Sequence, residues 1–393
     1  MRDPQQLSVL SVCTNLPSVR SPIRGLFVRR RLEQMARRCS LTALMPQPFF
    51  PWLRPIGQDD QALQASFPIA SRKMFYFPGV LKHLDGRWMS RCVDRWLRTI
   101  DVTHPAVIDA HFGYPEGVGC YYAAEKHKLP IFITIRGLEV DLLRDPRMRP
   151  VLVEALQNAT GVIAVSDFLK ETAVNAGVDE SQITVIPNGV DTERFFPGDR
   201  TSARRELGIA DGQRLIVCVG TLKRVKGHDV LLKAMSAVRK GVPARLVCVG
   251  GRGDPQWADE LERMVVSLGL SNEVCFVGAE PPDRVVQWLR AADVFCLASH
   301  REGCCNAVLE AVATGIHVAV TRVGDNAHVV TGPEIGLLVD PGDSEGLANA
   351  IVESLSNSHD PTVIANSVGS YSWDDAAQRV IEYFDSKLID RSH

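Results

Sequence analysis

The chain has 393 residues, too many for one ordinary core, so two domains are expected. Its 45% hydrophobic and 23% charged residues are those of a soluble globular protein. With no apolar run of about 18 residues and no basic-then-apolar leader, neither a spanning helix nor a secretory signal is expected, and the predicted location is the cytoplasm.

Net charge is −2, yet residues 1–100 hold 16 Lys and Arg against 6 Asp and Glu, while the remainder holds 28 against 40. A first hundred residues at +10 facing a −12 remainder points to an anionic partner for the N-terminal part. The 10 cysteines are scattered, several within apolar runs and none in a Cys-x-x-Cys pair, which fits small core residues in a reducing compartment.

In chain order, 7–12 reads as a first strand. The proline-broken loop after it ends at Gly25, just before a helical pattern over 26–38. Open α/β sheets bind ligands beyond the strands' carboxyl ends, so Arg20, Arg24 and the Gly25 backbone are candidate substrate contacts, a plain connector being the alternative. The helix carries Arg29, Arg30, Arg31, Arg37 and Arg38. Residues 72–98 then interleave seven cations with Phe75, Tyr76, Phe77, Trp88 and Trp96. Such a surface suits an anionic membrane, each cation near it contributing about 1 kcal/mol, or is an ordinary solvated face. Nucleic acid is not expected, because no nucleic-acid-binding motif accompanies the charge.

Strands are predicted near 107–111, 130–135, 162–166 and 183–186, alternating with helices, which implies a parallel doubly wound sheet. His111 and Arg136 each fall at a strand's carboxyl end. Pro187-Asn188-Gly189-Val190-Asp191 and the segment to Gly198 read as an interdomain connector. The rhythm restarts at Leu215, with strands near 215–219, 246–249, 274–277, 294–298 and 318–320. Tyr371-Ser372-Trp373 then opens a last helix running to about Lys387 with Ser372 as its cap.

Glycines follow the first two strands of this half, at Gly220 beside Thr221 and at Gly250 and Gly251, where backbone can approach a ligand closely. Lys226 stands just before a helix, placed to meet a diphosphate. No Gly-x-Gly-x-x-Gly follows either first strand, which argues against a nicotinamide dinucleotide site, and no Walker sequence occurs. The richest stretch runs from Ser299 to Gly315. It reads as a loop holding Glu302, Gly303, Cys304 and Cys305, then a helix from Asn306 with Glu310 a little over one turn in. A helix's positive end suits a phosphate, and carboxylates beside it accept from sugar hydroxyls; a charge merely favourable to the helix dipole is the other reading of Glu310.

The two glutamates with seven residues between them resemble the Glu-x7-Glu signature of the family-4 retaining nucleotide-sugar glycosyltransferases. Matching wording extends through Arg24-Gly25, Asp109-Ala110-His111-Phe112, Ile186-Pro187-Asn188-Gly189-Val190-Asp191, Lys226-Gly227-His228-Asp229 and Gly336-Leu337-Leu338-Val339. The resemblance implies the GT-B architecture: two Rossmann-like α/β domains facing a cleft, with acceptor at 1–195, donor at 196–370, and a helix at 371–393 crossing back to the first domain. It also implies that Lys226 holds the diphosphate, Glu310 the ribose, and Glu302 the donor sugar. Gly303 to Asn306 would surround sugar and phosphate with backbone, and His111 would lie near the reacting sugar. The implied reaction is metal-independent, retaining transfer from a UDP- or GDP-linked sugar, with no cofactor, to a glycan acceptor. The basic N-terminal part adds the expectation that the acceptor is lipid-linked, in cell-surface or exopolysaccharide synthesis at the inner face of the cytoplasmic membrane.

Two departures stand out. Thr221 occupies a position where the family commonly has a second diphosphate cation, for which Arg224 is a candidate substitute. Asp325-Asn326-Ala327-His328 replaces a usual Pro-Glu. An epimerase or phosphorylase of the same architecture, or a non-catalytic scaffold, is the alternative function.

Overall fold

The computed structural model describes residues 7–50, 61–77, 79–102 and 105–390. Two compact units emerge, Met1–Gly189 with Trp373–His393, and Val190–Ser372. The chain therefore leaves the first unit, builds the second, and returns.

The first unit runs through β1 (Ser8–Val12), α1 (Leu26–Met35), β2 (Ser40–Phe49), β3 (Ile69–Phe75), α2 (Asp85–Leu97), β4 (Ala106–His111) and α3 (Val118–His127). It continues through β5 (Ile131–Ile135), α4 (Glu139–Arg144), α5 (Arg149–Asn158), β6 (Gly161–Ala164), α6 (Asp167–Asn175) and β7 (Ile183–Val185). These seven strands form one parallel sheet in the order β3-β2-β1-β4-β5-β6-β7. Every residue of β1, β4, β5 and β6 is buried, as expected for strands covered by helices on both faces.

The second unit runs through α7 (Arg200–Leu207), β8 (Arg214–Val219), α8 (His228–Val238), β9 (Ala244–Val249), α9 (Pro255–Ser267), β10 (Val274–Gly278) and α10 (Pro282–Ala291). It then adds β11 (Val294–Leu297), α11 (Asn306–Ala313), β12 (Val318–Thr321), α12 (Asn326–Val329), β13 (Gly336–Val339), α13 (Ser344–Ser356) and α14 (Pro361–Asn366). Its six strands are also parallel, in the order β10-β9-β8-β11-β12-β13. Carboxylates at Asp199, Asp254 and Asp343 cap α7, α9 and α13 by accepting from first-turn N–H groups, each such cap contributing about 1 kcal/mol.

The last helix, α15 (Trp373–Asp390), belongs to the first unit. Ala377, Val380 and Phe384 are fully buried there, and Phe384 stacks at 4.2 Å on Phe132 of β5. Burying Val380 and Phe384 stabilises by about 1.5–3 kcal/mol each. Polar ties add register: Tyr383 donates to the Gln182 carbonyl at 2.7 Å, and Arg38 pairs with Asp374 at 2.6 Å.

Both sheets reverse their winding at an inner pair of strands, β1/β4 in the first unit and β8/β11 in the second. Such switch points leave a crevice at the strands' carboxyl ends where α/β proteins place ligands.

Candidate functional site

In the second unit the loops after β8 and β11 interlock. Gly227 has φ 62°, and a Cβ there would stand 1.9 Å from the Ala298 carbonyl oxygen, so only glycine lets the two loops touch. The His300 N–H donates to the Val225 carbonyl at 2.9 Å, fixing the register. A second close approach joins the β8 and β9 loops, because a Cβ on Gly250 would lie 1.9 Å from the Gly220 oxygen.

This interlock delivers Lys226 to Glu302. Its ammonium donates to both carboxylate oxygens, at 2.7 and 2.9 Å, across the β8/β11 switch point. Ser299 donates to Glu302 Oε1 at 2.5 Å. Thr321 holds the Ser299 carbonyl at 2.7 Å, and the buried Asn326 donates to the Thr321 carbonyl at 2.9 Å. Asn326, in the segment that departs from the family wording, thus braces the site from behind. Burial opposes the Lys226 charge, but Glu302 outweighs it and holds the ammonium above the ordinary lysine range. Lys226 is therefore a fixed cation.

Asn306 opens α11 after Cys305, whose side chain makes no capping bond. The Asn306 and Val308 N–H groups donate to the Cys304 and Cys305 carbonyls, each at 3.1 Å, so this first turn is tied to the Glu302 loop. Glu310 lies partly buried one turn in, as the spacing requires. Cys305 is 5% exposed and burial pushes its thiol well up, so it packs rather than reacts; Cys304 is partly buried. Gly251 and Gly303 are also partly buried, and Thr221 is exposed. Arg224 faces elsewhere: it pairs with Glu260 at 2.9 and 2.8 Å and lies 4.1 Å over the Trp257 ring. Arg224 is thus turned toward α9.

In the first unit the β1/β4 switch point holds a buried polar network. His111 is 0% exposed. Its Nδ1 faces Arg31 and Arg136, each at 3.3 Å, and its Nε2 faces Ser11 Oγ at 3.0 Å and Asp109 Oδ2 at 3.1 Å. Guanidiniums only donate, so Nδ1 accepts and the proton resides on Nε2. Burial drives the His111 pKa down to about 4 against the pull of Asp109, with Arg31 and Arg136 assisting burial. Burial alone would raise Asp109, but His111 and Arg31 overcome it and hold that carboxyl well below the usual range. His111 is thus enclosed by protein groups on both nitrogens.

Around it two carboxylates shape the loops. Glu139 accepts from the N–H groups of Gly113, Arg136 and Gly137 at 2.7, 3.0 and 2.7 Å, while Arg136 donates to Asn188 at 2.8 Å. Glu116 accepts from the Thr14 N–H at 3.0 Å and from the Thr14 hydroxyl, and burial pushes its carboxyl up to about 7 despite those bonds. Arg24 donates to Asn15 at 2.7 Å, and a Cβ on Gly25, whose φ is 68°, would meet the Asn15 carbonyl at 1.6 Å. Arg20 is exposed at the loop's tip beside Val19, which is 65% exposed.

The roles of Glu116, Glu139 and Ser299 escaped the sequence reading, and Arg31, counted there among the surface cations of its helix, is buried. Arg31 had a signal: it falls on the same helical stripe as the buried Val28, Leu32 and Met35, where a charge implies an interior partner.

Comparison with known proteins fits this geometry. Residues 199–368 match the family described as Glycosyl transferases group 1, and residues 57–194 match Glycosyltransferase Family 4. A D-inositol 3-phosphate glycosyltransferase of Corynebacterium urealyticum is 32% identical over 62% of this chain and 61% of its own length. An N-acetyl-alpha-D-glucosaminyl L-malate synthase of Bacillus anthracis is 25% identical over 63% of this chain and 65% of its own. The chain thus matches less than two thirds of these relatives. Among solved structures, sucrose-phosphate synthase of Thermosynechococcus elongatus superposes with TM-score 0.79 at 20% identity, covering 98% of this chain and 100% of its own. Anabaena HepE in complex with UDP and glucose gives 0.76 at 20%, covering 97% and 100%. At such identities the structures show a shared fold.

Proposed function

From the premise that the chain belongs to the group 1 and family 4 glycosyltransferases of GT-B type, we propose that it moves a sugar from a nucleoside-diphosphate donor to an acceptor hydroxyl. The donor occupies the second unit and the acceptor the first. The observation that carries this reading is the Lys226–Glu302 pair at the β8/β11 switch point, beside the start of α11.

Sugar transfer breaks the bond between the anomeric carbon and the diphosphate, so negative charge grows on the leaving oxygen. Lys226 can share its protons between Glu302 and that phosphate, and the positive end of the α11 dipole favours the same charge. Stabilisation of this preorganised kind is worth about 2.7–4 kcal/mol per donor. Glu302 then accepts from a sugar hydroxyl and Glu310 from the ribose. Charge stabilisation by Lys226 and α11 makes the reaction metal-independent in this reading, and the chain contains no Asp-x-Asp sequence. Retention of anomeric configuration by same-face attack, with no cofactor, completes the proposal. His111, enclosed as it is, orients Arg136 and the β4 loop from behind.

The acceptor in this reading is a lipid-linked glycan precursor for cell-surface or exopolysaccharide synthesis, met at an anionic membrane surface on the cytoplasmic side by the +10 first hundred residues. Among the described residues no helix is long and apolar enough to cross a membrane. A second reading, a small soluble acceptor bearing negative charge, is favoured by the relatives named for inositol 3-phosphate and L-malate.

The test is thermal unfolding with UDP, GDP, ADP, TDP and their sugar conjugates, in wild type and in Lys226→Ala and Glu310→Ala. A ligand at about a hundred times its dissociation constant adds about 2.7 kcal/mol. A shift with one nucleotide family, lost in both variants, is expected. No shift with any nucleotide would remove the donor-site assignment.

A further inference from the structure

A cavity of about 390 Å³ opens on the helix-covered face of the first unit, lined by His83, Leu84, Arg87, Val118, Tyr122, Arg147 and Val151 with the Gly86 backbone. Its walls come from the turn before α2 and from the first turns of α2, α3 and α5, so it flanks the carboxyl end of β4 without being part of the His111 network. Nothing in the proposed chemistry uses it.

The cavity carries unspent charge. Several arginines of this unit are committed: Arg29 to Glu33, Arg31 to Asp109, Arg38 to Asp374, Arg98 to Asp94, and Arg24 to Asn15. Among the described residues neither the Arg87 nor the Arg147 guanidinium makes a hydrogen bond or ion pair, and both are exposed. Two unpaired guanidiniums converging on one concavity create a positive potential that a neutral ligand would leave unused. His83 adds a third nitrogen base at the rim. Asp145 accepts from the Arg147 N–H at 2.8 Å, and burial pushes Asp85 up to about 6, which weakens its negative charge at the wall. The helix ends add positive dipole to the same wall.

The floor is different in character. Leu84, Val118 and Val151 line it, and Val80 and Leu81, just before His83, stand 59% and 44% exposed. A cationic rim over an apolar floor fits a phosphate group attached to an apolar or partly apolar body.

We propose that this cavity is a phosphate subsite in which Arg87 and Arg147 clamp a phosphate group of the acceptor or of the lipid that bears it. The proposal rests on the reading that the first unit takes the acceptor. The shared chemistry is the phosphate, and the source is either a lipid headgroup or a soluble phosphorylated compound.

The test titrates the full chain calorimetrically with inorganic phosphate and glycerol phosphate, in wild type, Arg87→Gln, Arg147→Gln and the double variant, with UDP titrated in parallel. Both arginines are exposed, and unchanged melting temperatures would certify folding. The expected result is phosphate binding weakened at least tenfold in the double variant with UDP binding unchanged. Equal phosphate affinity in the double variant, or no phosphate binding to wild type, overturns the subsite. Loss of UDP binding in the wild type would instead strike the donor reading. Flotation with phosphatidylcholine vesicles, with and without phosphatidic acid, assigns the source. Arginine-dependent binding to the acidic vesicles that glycerol phosphate competes away supports a lipid headgroup. Phosphate binding without vesicle binding supports a soluble acceptor.

Discussion

Lys226 and Glu302 lie 76 residues apart in sequence yet meet at 2.7 Å, joining the two loops that flank the second unit's switch point. Glu302 is 8% exposed, so the pair carries both a structural and a chemical burden. Lys226→Ala should leave that carboxylate unpaired and destabilise the fold by about 3 kcal/mol, the low end for breaking a buried pair, because the lysine itself is 22% exposed. It should also lower the transfer rate about 100–1,000-fold. Adding Glu302→Gln should return most of the stability and none of the rate. Urea unfolding and donor turnover measured side by side separate the two effects, and recovery of both in the double variant would show that Lys226 has no chemical role.

Arg31 presents the same logic with less solvent. Its guanidinium is 3% exposed and contacts Asp109, Thr134 and His111, while Asp109 is 0% exposed. Arg31→Met keeps the length but strands the Asp109 charge, and a loss of about 3–5 kcal/mol in denaturant unfolding is expected. Arg31→Met with Asp109→Asn should lose less than the single variant. If the double variant loses as much as the sum of the two singles, the pair is not coupled as described.

The parallel sheets were legible because periodicity and glycine placement are local signals, whereas Lys226, Glu302 and Glu310 were singled out by wording and resemblance. Three strands, β2, β3 and β13, were not legible. Residues 40–49 contain Pro46 and Pro48, which argue against a strand with neighbours on both sides. The structure resolves the conflict by register: β1 pairs only with Ser40–Leu44, so both prolines fall where β2 has β3 alone as neighbour. β3 itself hid among the cations of 72–98. It is the edge strand, and alternation is weak where only one side is covered. The His111 network was illegible for another reason. A histidine at a strand's carboxyl end looks the same whether it faces a ligand or two arginines from distant elements, and only tertiary packing distinguishes these.

Acid and alkali should act on different carboxyl-end groups of the first unit. His111 titrates near 4 rather than 6.5, so between those values the unfolded chain takes up a proton that the folded chain refuses, and stability falls as pH drops through that window. Glu116 titrates near 7 rather than 4.5; its contribution is full below 4.5 and is lost as pH rises through 7. Each proton changes the slope by about 1.4 kcal/mol per pH unit. Glu116→Gln, which keeps an oxygen for Thr14, should therefore lose less stability than wild type between pH 5 and pH 8, read from urea midpoints. Parallel pH profiles would mean that Glu116 ionises like an exposed glutamate.

The glycine contacts give the sharpest steric contrast. At Gly250 an added Cβ meets backbone, the Gly220 oxygen at 1.9 Å, whereas at neighbouring Gly251 it meets only the Ala279 Cβ at 3.5 Å, an ordinary contact. Backbone cannot rotate away as a side chain can, so Gly250→Ala must push the β8 and β9 loops apart. That distortion should cost about 3 kcal/mol, the upper range for overpacking, and lower the melting temperature by about 6 °C or more. Gly251→Ala should melt within about 1 °C of wild type, since an unstrained glycine replacement is nearly neutral or mildly stabilising. Because the same loops border Lys226, Gly250→Ala should also weaken UDP binding while Gly251→Ala retains it. Equal melting temperatures for the two variants would show that the β8 and β9 loops do not approach as closely as the structure has them.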